Sequence, residues 1–177
     1  KTPTTPTIAA GDKISWWLAT GFPAPGVAPG TTPLIPTKAT QGSLVKFTNP
    51  TTGFVCRIQD MYALMQTTPM TPILYDRLVH SSGLSGTDTA VKNINTPALT
   101  RGNTTGANVV GFVECYAPLG ATPRTLTVSY TNSAGVSGRT GTASIPATMR
   151  LGRPVDIILQ AGDAGIRSIE TVKLTGT

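Results

Sequence analysis

One histidine, two cysteines and eight acidic side chains are all that this 177-residue chain offers for acid–base, nucleophilic or metal chemistry. His80 with Asp76 or Asp88 and a nearby serine would supply the parts of a nucleophilic triad. No GxSxG elbow accompanies them, so His80 reads as an ordinary loop or strand-end residue. Glu114 with Asp76 could form the carboxylate pair a glycosidase needs across one cleft, but no surrounding motif supports that pairing. Cys56 and Cys115 sit in two apolar runs, GFVCRI and GFVECY, without a CxxC pattern; they read as buried thiols, with a strand-to-strand disulfide as the alternative. A single histidine excludes a His-rich metal centre. The AGDAG segment at 161–165 lacks both the P-loop lysine and the repeated Asp of a calcium loop, and reads as a tight turn. The Asn103-Thr104-Thr105 sequon has meaning only in a eukaryotic secreted protein. The residues predict no enzyme, no metal and no cofactor.

The elements that would carry these residues are written in the composition. Charged residues form only 12% of the chain, and Thr, Gly and Pro take their place, a balance that suits sheets joined by many turns. Net charge is +6, but the basic residues are scattered and form no nucleic-acid arm. That charge fits either attraction to a large acidic surface or plain solvation. No stretch reaches the roughly 18 apolar residues of a membrane span, and no signal-peptide pattern is visible.

Residues 1–40 differ from the rest. Pro3, Pro6, Pro23, Pro25, Pro29, Pro33 and Pro36 fix φ and remove donors, which predicts an extended arm rather than a sheet interior or helix. The arm also holds Trp16, Trp17, Leu18 and Phe22, more apolar area than a free linker would carry. These four are the candidate subunit-interface residues, packing against a neighbouring copy or against their own domain.

Residues 41–177 read as one β domain. SLVKF and FVCRIQDMYALM are candidate strands, PILYDRLVH is read as a strand over a short helix, and ANVVGFVECYA as a buried central strand. In TLTVSYT, Leu126, Val128 and Tyr130 alternate with Thr125, Thr127, Ser129 and Thr131, apolar on one side and hydroxyl on the other. Asn132–Gly138 is the turn, with Gly135 and Gly138 free to take positive φ, and RTGTASI returns as partner strand. PVDIILQ and IRSIETVKL complete a set of about eight strands, the pattern of a jelly-roll-like β-sandwich.

Four phrases in order, GVAPGTTPLIPTKATQGSL, ILYDRLVHSSGLSGTDTA, TLTVSYTNSAGVSGRTGTA and LQAGDAGIRSIETVKL, resemble a group of tailed-bacteriophage virion structural proteins. The resemblance spans roughly residues 27–174. It implies a capsid decoration or cement protein on the virion's head surface. Its partners would be the major capsid protein and copies of itself, expected as trimers, with no small-molecule substrate, nucleic acid or membrane. The alternative it leaves open is a tail or fibre component that binds a host receptor or glycan through exposed aromatics such as Tyr62, Tyr75 or Tyr116. A hydrolase on a sandwich scaffold would instead need paired carboxylates in a cleft.

Overall fold

A computed structural model describes residues 11–42, 51–55, 59 and 71–176. Among them the chain is all-β, with six strands: β1 (Lys92–Asn93), β2 (Phe112–Glu114), β3 (Arg124–Asn132), β4 (Arg139–Ile145), β5 (Pro154–Asp156) and β6 (Ile166–Gly176). They form an antiparallel four-stranded sheet, ordered β1-β6-β3-β4, and a two-stranded antiparallel sheet, β2-β5.

The expected hairpin is the centre of the larger sheet. Period-2 alternation sends Leu126, Val128 and Tyr130 inward, each 2% exposed or less, because only one face of β3 can meet the core. Across the hairpin Ala143 and Ile145 are buried with them, and β6 adds Val172 and Leu174. Cys115, Met149 and Ile157 complete this cluster from the other side. Cys115 is a buried free thiol; Cys56 lies outside the described residues.

The opposite face is a grid of hydroxyls. Thr125 lies between Ser144 and Thr175, Thr127 between Thr142 and Lys173, and Ser129 between Thr140 and Thr171. Between Ser129 and Tyr130 the β6 register slips by one residue, leaving Glu170 as a bulge. Its carboxylate accepts from Thr131 at 2.7 Å and Ser168 at 2.9 Å.

The turn forms as the sequence predicts. Asn132 Oδ1 accepts from the backbone N–H of Ala134 and Val136, and Gly135 and Gly138 take φ of 83° and 69°. The AGDAG loop locks against it. Asp163, whose side chain is 3% exposed, accepts from Tyr130 Oη at 2.5 Å, Asn132 Nδ2 at 2.6 Å and Arg139 Nε at 2.9 Å. Together these donors, Arg139 first, hold its pKa down at about 2.

Three expectations change. The 107–117 run is not a buried central strand: only Phe112–Glu114 is ladder, half-buried in a two-stranded sheet, and Val110 is 79% exposed. Its partner β5 is as short, and beyond Pro154 the two runs stay joined by irregular bonds, Cys115 N–H to Arg153 O at 3.1 Å and Gly152 N–H to Cys115 O at 2.7 Å. Among the described residues the isolated bridge Thr142–Ile158, just after β5, links this run to the larger sheet. The 72–80 run is neither strand nor helix; it crosses the molecule without a ladder until His80, which bridges Leu34. PVDIILQ is a three-residue strand followed by that single bridge at Ile158. SLVKF lies almost wholly outside the described residues. Of FVCRIQDMYALM only Phe54, Val55 and Gln59 are described, and Phe54 and Val55 are exposed outside any strand.

Candidate functional site

The N-terminal segment brings an aromatic slot to the domain. Ser15 N–H donates to Gly152 O at 2.8 Å, Asp12 pairs with Arg153 at 2.7 Å, and Lys13 pairs with Asp156. These contacts seat Trp17 between Gly26 and Gly42, where a Cβ on either glycine would lie 2.4 or 2.5 Å from the indole. The indole Nε1–H donates to Val27 O at 3.1 Å. Only glycine allows so close an approach of backbone to ring.

Arg77 lies over the Trp17 ring at 4.4 Å, a cation–π contact shielded from water. Its Nη2 donates to Glu114 Oε2 at 2.6 Å and Tyr75 Oη at 2.9 Å, and its Nη1 to Tyr116 Oη at 3.1 Å. The side chains of Arg77 and Glu114 are 8% and 3% exposed. The extended 72–80 run supplies Tyr75, Arg77 and His80, while β2 and the residues just after it supply Phe112, Glu114 and Tyr116. Tyr75 and Phe112 meet edge to face with centroids 5.6 Å apart, as ring quadrupoles prefer.

Burial disfavours the Arg77 charge, but Glu114 and Tyr75 together, through charge and hydrogen bonds, outweigh it, and the guanidinium pKa is raised. Burial, aided by the Glu114 charge, pushes the Tyr116 hydroxyl up to about 12. His80 meets the edge of Trp17 with centroids 5.0 Å apart. Burial, then the positive charge of Arg77, lowers its pKa to about 4. Four buried polar atoms here have no hydrogen-bond partner among the described residues: Arg77 Nε, Glu114 Oε1 and both His80 ring nitrogens. The cluster borders a cleft of 2210 Å³.

The carboxylates and histidine weighed in the sequence are placed apart in role. Glu114 faces Arg77, whereas Asp76, 57% exposed, is held by Arg101 through bonds of 2.8 and 2.9 Å. Among the described residues no serine or aspartate orients His80, since neither ring nitrogen has a partner there. Asp88 pairs with Lys92. Among the described residues no three His, Cys, Asp or Glu side chains gather as a metal site.

Of the four interface candidates, Trp17 is 7% exposed within its own chain, Trp16 and Leu18 are half-buried, and Phe22 is 80% exposed. Tyr75 and Tyr116 meet at Arg77; Tyr62 lies outside the described residues. Sequence reading did not find the Arg77–Glu114 pair. Its one signal was a lone carboxylate inside the otherwise apolar run GFVECY. Compared with known proteins, the chain has no match among protein-family models, curated proteins or solved structures.

Proposed function

We propose that this chain is a structural, non-enzymatic subunit of a tailed-phage particle: a decoration or cement protein on the capsid surface. It would bridge the major capsid protein and copies of itself, with a jelly-roll-like sandwich and a Pro-rich N-terminal arm. The observation that carries this reading is the division of labour in the N-terminal segment. Trp17 anchors the segment on its own domain, while Phe22 and Val27 just beyond it are 80% and 77% exposed. Prolines around them limit the entropy lost when such a segment docks, and large apolar side chains favour the centre of an interface. The hydroxyl-faced sheet supports a rigid structural role.

The test is gold-labelled antibody localisation on intact particles, together with shell binding by a Phe22→Ser/Val27→Ser variant. Label over the head and lost binding by the variant support the reading. Label confined to the tail, or full shell binding by the variant, overturns it.

A second reading has its own observation. Tyr75 and Tyr116, two of the aromatics expected in a receptor- or glycan-binding groove, converge on Arg77 beside an open cleft. A tail or fibre component that binds a host glycan would use such a face.

A further inference from the structure

The Arg77–Glu114 cluster is incomplete in a way the core does not explain. Native interiors satisfy nearly all buried polar atoms, yet Glu114 Oε1 and Arg77 Nε have no partner among the described residues, although both side chains are more than nine-tenths buried. Both residues line the cleft together with Tyr75 and His80. We propose that this cleft binds a neutral saccharide residue, with Glu114 Oε1 as its hydrogen-bond acceptor and the Tyr75 ring as its stacking face.

The chemistry of the free atoms selects the ligand class. Glu114 and Arg77 already neutralise one another across 2.6 Å, so a charged ligand would find no net opposite charge and would compete with the pair. A purely apolar ligand would leave a carboxylate oxygen and a guanidinium N–H without partners. Oε1 only accepts and Nε only donates, whereas a hydroxyl does both. Adjacent hydroxyls on one sugar ring therefore answer both atoms, which belong to side chains already in contact. Neutral His80, with one donor and one acceptor nitrogen both free, extends the same pattern.

Tyr75 is 45% exposed, leaving ring surface to cover the apolar face of a pyranose. It lies in a run that joins no sheet ladder, so it can shift to admit the ligand without breaking strand hydrogen bonds.

This inference rests on the glycan-binding reading, and its experiment separates the two. The full chain is titrated with the methyl glycosides of glucose, galactose, mannose and N-acetylglucosamine and with their short neutral oligomers. Tryptophan emission is one readout, since Trp17 lies on Arg77, and saturation-transfer NMR is the other. At least one sugar should bind saturably. Tyr75→Ala and Glu114→Gln should each weaken it by roughly tenfold or more, the loss of one stacked ring or one charge-assisted hydrogen bond. Tyr75→Ala alters an exposed side chain outside the sheets, and it keeps the test decisive if Glu114→Gln folds poorly. No saturable binding by any of these sugars, or unchanged affinity in folded Tyr75→Ala, overturns the proposal. In that case, tail labelling of particles would still leave a receptor-binding role standing through another face.

Discussion

Replacing Glu114 by Gln is the most informative perturbation of this molecule. The change keeps the size of the side chain and one oxygen to accept from Arg77, but it removes the carboxylate that pairs with that guanidinium. Both partners are less than a tenth exposed and 2.6 Å apart, so the charge left on Arg77 has little access to water. Breaking a buried pair from one side costs about 3–5 kcal/mol; the retained hydrogen bond places Glu114→Gln at the low end, about 3 kcal/mol. For a chain of this length that lowers Tm by roughly 6–12 °C. The double variant Arg77→Met/Glu114→Gln buries no charge and should recover about half of that loss. Urea unfolding of the four proteins in a double-mutant cycle, followed by circular dichroism, measures the coupling. A single-variant loss below about 1 kcal/mol, the range of exposed pairs, would refute the burial argument, and so would a double variant as unstable as the sum of the singles.

Three further outcomes follow from the same structure. His80 has a folded pKa of about 4, lowered from 6.5, so its contribution is fully present above pH 6.5 and lost as pH falls towards 4. At 1.36 kcal/mol per unit, discounted by about half for the ring's partial contact with solvent, the loss is about 1–2 kcal/mol. His80 is the only histidine, so urea midpoints of wild type between pH 7 and 4.5 should fall, and those of His80→Gln should fall less. Asp163, held at about 2 against 3.8, contributes stability present above pH 3.8 and lost as pH falls through 2. Acid titration of Asp163→Asn should lack that part of the decline while starting from a lower stability at pH 7. Gly26→Ala would place a Cβ 2.4 Å from the Trp17 ring; expulsion of the indole should red-shift tryptophan emission and cost about 1–3 kcal/mol.

The hairpin was legible because local and tertiary demands coincide there. Leu126, Val128 and Tyr130 alternate with hydroxyls, and Asn132 and Gly135 supply the turn chemistry within a few residues. The 107–117 run misled because apolar character does not reveal a partner. Its regular ladder is three residues long because β5, the strand it meets, is equally short and gives way to irregular bonds at Arg153 and Gly152, which the run itself does not reveal. The 72–80 run groups its apolar residues in blocks around Asp76 and Arg77, and among the described residues it has no neighbouring strand to pair with. The candidate site was least visible of all. Arg77 and Glu114 are 37 residues apart, and nothing in the spacing shows that Trp17 will lie against the guanidinium. Asp76, adjacent to Arg77, looked equally available to Glu114, and only the chain's path turns it towards Arg101.

The hydroxyl grid on the larger sheet has a consequence for how contacts of this protein respond to salt. Lys173 and the Glu170 carboxylate bring one charge of each sign to that face, whereas the chain as a whole carries +6. An association made through the grid would change little between low and high ionic strength, because hydroxyl contacts have no ion atmosphere to lose. Contacts made through the basic remainder would weaken as the Debye length falls to about 10 Å at 0.1 M and about 3 Å at 1 M. Ionic strength therefore works as a compass: the slope of affinity against salt separates a neighbour seated on the hydroxyl face from one seated on the basic remainder of the surface.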